Sequence, residues 1–317
     1  MNWKKMNKIE KLNNFISESP QGTIFTTPEW LEAVAPGKWQ YLTVESGDSI
    51  KICMPIILSK KLGFTQCNMP PFTQSLGILF PPGEGKYAEI LTRNTNTTSE
   101  LISKIPNYSY FRQRLHPSLT NWLPFYWSGY SQSTRYTYII EDLQDIDNVW
   151  KEFRSNIRQE IRKATKSIVI DQNEDFDALK YCIKSTYDRQ EKTGFDFRSL
   201  ERIFMTCNKL NCGKIFLAKN KENDIYGAIY LVWDEKSAYY IAGGSPEKVR
   251  TSGAMTLLLW EAIKFSSSVT QQFNFEGSMI LSIERFFRGF GGRQVPYLEI
   301  KKTDSIFISL YEHLFIK

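Results

Sequence analysis

Two stretches of this chain, residues 41–69 (YLTVESGDSIKICMPIILSKKLGFTQCNM) and residues 216–244 (FLAKNKENDIYGAIYLVWDEKSAYYIAGG), superpose at a constant offset without a gap. Apolar runs fall on apolar runs and turn residues on turn residues, although few identities support the match. The first copy holds QYLTVES, SIKICMPIIL and GFTQCNM; the second holds KIFLAKN, IYGAIYLVW and SAYYIAGG. Each reads as a three-stranded meander bounded by turn residues. One fold unit used twice constrains the chain more than any other feature, because each copy must bury its own apolar face. With 317 residues, 42% of them hydrophobic, the chain can supply two cores. A boundary is expected near residue 145, giving domains over 1–145 and 146–317.

A short helix, PEWLEAV, precedes the first meander. After the boundary, VWKEFRSNIRQEIRKATK (149–166) sets Trp150, Phe153, Ile157, Ile161 and Ala164 at spacings of three and four, the pattern of one apolar helical stripe. Arg154, Arg158, Arg162 and Lys166 form a basic stripe beside it. That stripe reads as a solvated surface or as a cradle for a polyanion centred on Arg158. Helices over 174–194 and 197–210 lead into the second meander. A helix (253–267), a strand (271–277), a helix (280–290), a strand (294–302) and a final helix follow. The succession predicts an α+β, mixed fold in which a largely antiparallel sheet is flanked by helices.

The residue inventory narrows the chemistry. Only His116, followed by a proline, and His313, in an amphipathic C-terminal tail, could serve a Ser-His-Asp or Cys-His nucleophile, so hydrolase readings lose ground. Five cysteines, an odd number, show no C-x-x-C spacing and are read as buried thiols; no metal is expected. A formal charge of +6 favours anionic partners without choosing among nucleotides, phosphosugars and RNA. No run reaches the roughly eighteen apolar residues of a membrane span, and the N-terminus lacks a signal-length apolar stretch. A cytoplasmic protein without a membrane span is expected.

The segment GGSPEKVRTSGAMTLLLWEAIKF (243–265) carries the clearest functional signal. A strand ending in Gly-Gly passes through a basic turn into an apolar helix. Unsatisfied N–H groups in a first helical turn, together with the helix dipole, favour a phosphate there. Arg250, Ser252, Gly253 and Ala254 are the candidate contacts, and an ordinary glycine-rich strand-to-helix turn is the alternative. Neither the Walker pattern nor G-x-G-x-x-G is present. Instead the segment resembles the pyrophosphate loop of GNAT acyltransferases, Q/R-x-x-G-x-G/A, with Arg250 and Gly253 in the first two slots and Met255 in the third.

Further on, Phe273-Asn274-Phe275-Glu276-Gly277 and Phe286-Phe287-Arg288-Gly289-Phe290-Gly291 resemble the F-D-F-x-G and F-K-x-x-F-G signatures of the FemAB family. TPEWLEAV, MPPFTQSLG and IRQEIRKA extend that likeness over nearly the whole chain. The resemblance implies two tandem GNAT-like domains and transfer of an acyl group to an amine. It departs at Asn274, where the family has Asp, and at Phe287, where it has a lysine that contacts substrate. The FemAB reaction, from aminoacyl-tRNA to a muropeptide, is therefore the runner-up to an acyl-CoA donor, and a non-catalytic binding protein is the third reading. The amine is expected on a cell-envelope or sugar-nucleotide precursor, a small-molecule, glycan or peptide substrate.

Transfer of that kind needs a donor site, a base and a polarised carbonyl. The backbone of Tyr240, Ile241 and Ala242 is expected to pair with an extended pantetheine arm. Glu276 is the candidate base or substrate orienter; a helix cap or a partner of Arg285 or Arg288 is its alternative role. Arg288 and Arg293 are candidate contacts for an acceptor phosphate, although Arg288 could instead pair with Glu284 at i, i+4. Phe286, Phe287 and Phe290 read as core. In the first domain PPFTQSLGILFPPGEG replaces the basic turn with prolines, which lack N–H donors, so donor binding is expected only in the second.

Overall fold

The computed structural model describes residues 3–61 and 63–304; His313 and the expected final helix lie outside them. The chain divides into two compact units, residues 1–135 with 296–317, and residues 136–295.

In the first unit, α1 (Trp3–Glu18) and α2 (Pro28–Val34) precede β1 (Trp39–Ser46), β2 (Ser49–Lys61) and β3 (Phe64–Cys67). Pro28 opens α2 behind Thr27, whose hydroxyl accepts the Trp30 N–H at 3.3 Å. Then come α3 (Tyr87–Ser103), β4 (Tyr110–Arg114), α4 (Leu123–Trp127) and β5 (Ser131–Ile140). The meander β1-β2-β3 is antiparallel, and β3 pairs parallel with β4 through Gln66–Tyr110 and Cys67–Phe111. Val44, Ile52, Met54, Phe111 and Ile300 bury one face with Leu101 of α3, while Phe15 and Ile16 of α1 pack with Ile50, Cys53 and Leu79.

The second unit begins within β5, at Tyr136, and continues with α5 (Ile146–Glu152), α6 (Ser155–Ala164), β6 (Val169–Asn173), α7 (Phe176–Arg189) and α8 (Phe197–Lys209). The second meander is β7 (Gly213–Lys219), β8 (Ile225–Trp233) and β9 (Ser237–Gly244), followed by α9 (Ala254–Ser266), β10 (Gln272–Asn274), α10 (Leu281–Arg288) and β11 (Arg293–Thr303). Again a meander is followed by a helix and a parallel strand, since β10 pairs parallel with β9. Phe216, Ile229 and Leu231 pack with Ile157 and Ile161 of α6 and Leu257, Leu258 and Ala262 of α9. Contacts of α7 and α8 with the same strands complete the second layer.

Strand against strand, the two meanders coincide with the repeat read from the sequence, and the fold is the mixed α+β kind expected. The boundaries differ. The first unit ends at Arg135 rather than near 145, and the last strand returns to it: β11 pairs antiparallel with β4 from Glu299 to Thr303, while β10 pairs with Ile139 and Ile140 of β5. Each repeat is therefore completed by a strand that the other repeat's half of the sequence carries. Linear reading misses this because strand pairing does not respect sequence proximity.

Two local expectations also change. The stripe over 149–166 is broken, since Phe153 and Arg154 are extended (ψ 141 and 147) and the Arg154 N–H donates to the Gly289 carbonyl at 2.9 Å. Arg154 thereby leaves the helix that carries Arg158 and Arg162. The strand expected over 271–277 ends at Asn274, and β6 and α1 lay outside the sequence reading altogether.

Candidate active site

Strand β9 has two unlike edges. Toward β8 it is paired along its length, with one interruption: Tyr230 faces Ala242 and Leu231 faces Tyr240, so Ile241 is a bulge. Toward β10 it is paired only at Ser237, Ala238 and Tyr239. Beyond Tyr239 no described strand meets that edge, and Tyr240, Ile241 and Ala242 present unpaired backbone there. These are the three residues that the sequence proposes for an extended donor arm.

The divergence of β10 has a local cause. The Phe275 N–H turns to the Tyr138 carbonyl at 3.0 Å, and Glu276 and Gly277 follow in the left-handed region at φ 62 and 65. Asn274 holds the bend: its buried Oδ1 accepts the Glu276 N–H at 2.8 Å and the Thr137 hydroxyl at 2.7 Å. Gly277 is required twice over, since a Cβ there would stand 2.2 Å from the Tyr136 carbonyl oxygen. Glu276 thus lies past the end of β10, with one carboxylate oxygen buried. Burial first, then the charges of Asp234 and Glu276, push the Tyr239 hydroxyl well above its ordinary pKa, which sets the Glu276 carboxylate near that strand. Capping of α10 is not its role, because Ile280 occupies the N-cap and Ser278 accepts the Ile280 N–H.

From Gly244 the chain enters the basic turn. Gly243 and Gly244 serve packing: a Cβ on Gly244 would come 2.3 Å from the Cys182 carbonyl oxygen of α7. Two residues missed by the sequence reading anchor the turn. The Thr186 hydroxyl takes the Ser245 N–H at 3.0 Å, and Arg189 pairs with Glu247 at 3.2 Å. A single 3₁₀ turn, Glu247–Val249, then carries the exposed Arg250 to the start of α9.

Helices α5, α7 and α8 begin with Asp145, Asp175 and Asp196, whose carboxylates accept N–H groups of their first turns. Helix α9 has no such cap. Its N-cap is Gly253 at φ 80, and the Ser252 hydroxyl reaches only the Ala254 N–H at 3.2 Å. The N–H groups of Gly253, Met255 and Thr256 meet no acceptor among the described residues. Gly253 also lies against α6, where a Cβ would come 2.9 Å from Glu160 Cγ and 3.3 Å from Ala164 Cβ.

The proposed acceptor arginines lie elsewhere in this unit. Arg288 pairs with Glu284 at 3.0 Å, the i, i+4 alternative, and Glu284 also accepts the Tyr138 hydroxyl. Arg293 faces Glu141 at 3.5 Å beside a cavity of about 200 Å³ that Asp142 and Glu152 also line. Arg158 donates to the Lys151 carbonyl at 3.1 Å, and Arg162 sits over the Trp150 ring. Each of Arg288 and Arg293 already meets a carboxylate, which lowers the charge it offers a phosphate. Phe287 and Phe290 are buried as expected and pack on Phe275. Of the cysteines, Cys53, Cys67, Cys182 and Cys207 are buried; burial pushes the Cys182 thiol up to about 12.

Residues 151–268 match the family model of the acetyltransferase (GNAT) domain. The second unit is thus similar to a GNAT domain over most of its length. Its free strand edge and uncapped helix lie within, or directly beside, the matched residues. FemX, as a solved structure, covers 96% of this chain and 98% of its own at TM-score 0.72 and 14% identity. A tandem GNAT protein from the clavulanic acid biosynthesis pathway covers 95% and 96% at TM-score 0.55 and 9% identity. L-PGS from Bacillus licheniformis covers 95% and 94% at TM-score 0.57 and 12% identity. At such identities the likeness is one of fold, and it is the FemAB-like GNAT fold that the sequence motifs imply. No curated protein matches the sequence. The match over 151–268 supports an acyltransferase. No described helix is long and apolar enough to cross a membrane.

The first unit handles its own β3–β4 divergence differently. After Cys67 the proline-rich segment returns: the Leu76 and Gly77 N–H groups donate to the Arg114 carbonyl, and Leu79 exchanges hydrogen bonds with Cys53. The chain itself bridges β2 and β4 there, and Leu76, Ile78 and Leu79 are buried.

Proposed function

We propose that the GNAT domain transfers an acyl group from acyl-CoA to an amine on a cell-envelope or sugar-nucleotide precursor. The observation that carries this reading is the unpaired edge of β9 beyond Tyr239, which leads into the uncapped start of α9. An extended donor arm would add to Tyr240, Ile241 and Ala242 as a strand does. Its diphosphate would meet the amide groups of Gly253, Met255 and Thr256, beside Ser252, Ala254 and the exposed Arg250. The bulge at Ile241 re-aims backbone groups, and an N–H turned toward the thioester carbonyl would stabilise its developing oxyanion. In the transfer itself the amine nitrogen bonds to the carbonyl carbon and the C–S bond breaks. Glu276 receives the amine proton and afterwards releases it to solvent, while the departing thiolate takes up a proton from solvent, so the step is balanced. The bridged slot of the first unit supports donor binding in the second alone.

A second reading takes aminoacyl-tRNA as donor, the chemistry that the FemAB resemblance implies. Glu160 favours it, since its side chain lies against Gly253 and its charge opposes a diphosphate there. Acetyl-CoA should raise the melting temperature of the wild type and leave that of Arg250→Glu unchanged. Absence of any shift with CoA esters, joined to tRNA binding that weakens steeply with salt, would replace the first reading by the second.

A further inference from the structure

On the first unit, β4 and β11 lay a run of charge across one sheet face. Arg114 stands directly opposite Glu299, and Arg112 directly opposite Lys301. Glu299 is almost fully buried, at 1% exposure. Its carboxylate accepts from Arg114 Nε at 2.8 Å and lies 3.2 Å from Lys301 Nζ and 3.7 Å from Arg135 Nη1. Arg112 meets no carboxylate among the described residues; its Nε donates to the Asn68 side-chain oxygen at 2.8 Å.

Neutralising Glu299 needs one cation, and Arg114 already supplies it with a hydrogen bond. The other three cations are surplus. Lys301 opposite Arg112 is a like-charge pair at the closest side-chain spacing a sheet allows, an arrangement that costs stability unless something negative lies between. Arg135 makes no hydrogen bond among the described residues, and its Nε is buried without an acceptor. A buried guanidinium N–H left unsatisfied costs about 1–3 kcal/mol. The Nη groups of Arg114 likewise donate to no described residue. Arg114, Arg135 and Lys301 remain 22%, 32% and 36% exposed, open enough for a small ion to reach.

The geometry points to a second anion site, in the first unit, where Arg112, Arg114, Arg135 and Lys301 take a phosphate or diphosphate group while Glu299 holds the cations in place. Guanidinium forks suit phosphate oxygens, and a dianion reaching the exposed parts of these side chains removes the like-charge cost. The inference is independent of the donor reading, because it uses no residue of the GNAT domain.

Isothermal titration with inorganic pyrophosphate tests it in four proteins: wild type, Arg135→Gln, Lys301→Gln and Arg250→Glu. Arg135→Gln and Lys301→Gln should each weaken one binding event at least tenfold, and Arg250→Glu should leave that event intact. Binding unchanged in both first-unit variants overturns the site, even if Arg250→Glu abolishes the donor-loop event. Retained acetyl-CoA stabilisation in Arg135→Gln would show that this variant still folds. Co-sedimentation with phosphatidylglycerol vesicles separates the sources: a parallel loss in Arg135→Gln assigns a lipid headgroup, and a loss for pyrophosphate alone assigns a soluble phosphate.

Discussion

Gly277 and Glu276 show how much one bend decides. Both are left-handed, and Gly277 has no room for a methyl group beside Tyr136. Gly277→Ala should therefore cost more than about 2 kcal/mol of stability, combining backbone strain with a backbone clash. A denaturant midpoint within error of the wild type would refute the geometry of the bend. Glu276→Gln should lower kcat by about 10²- to 10⁴-fold with the acetyl-CoA melting shift retained, as expected of a lost proton acceptor. A loss confined to the KM of the amine would make Glu276 an orienter instead. For Glu299, burial pushes the carboxyl up, but hydrogen bonds and charge from Arg114 and Lys301 outweigh it and hold the group below the usual carboxylate value. A depressed folded pKa stabilises above the unfolded value, near about 4.3, and that stability is lost as pH falls through the folded one. Melting temperatures of wild type and Glu299→Gln should therefore converge as pH is lowered from neutral through that window, and parallel curves would count against the ion cluster.

At helix α9 the proposed function rests on the start of an element. Its apolar run was legible in the sequence, and so was the glycine before it, because a left-handed N-cap without a side-chain cap is a glycine position. What the sequence did not show is that α6 closes over Gly253, or that Thr186 and Arg189 of α7 tether the turn. Gly253→Ala should cost about 1–2 kcal/mol from its positive φ, with more from the contact with Glu160. It should also abolish the acetyl-CoA shift, while Ser252→Ala, which removes one acceptor, should keep most of it. Equal shifts in both variants would argue that the donor lies elsewhere. The break between α5 and α6 teaches the reverse lesson. Spacings of three and four are satisfied straight through Phe153, yet the helix breaks there, where the Arg154 N–H donates to the distant Gly289 carbonyl.

For the molecule as a whole, the exchanged strands set the terms of folding. Without β11, β4 loses its antiparallel partner and the first unit loses Tyr297, Glu299 and Ile300 from its interior. A chain ending at residue 292 should accordingly lose amide-exchange protection over Tyr110–Arg114, and full protection there would contradict the pairing. The repeat, the mixed fold, the glycine-rich turn before α9 and the aromatic core of α10 were all written in the sequence, because periodicity, turn chemistry and apolar spacing are local properties. The partner of each last strand, the bend that carries Glu276 past β10, the carboxylates facing Arg288 and Arg293, and the surplus of cations around Glu299 were decided only by the tertiary structure. Each depends on which distant residues are brought within a few ångströms of one another, and a side chain's charge or a strand's edge acquires its meaning from those neighbours.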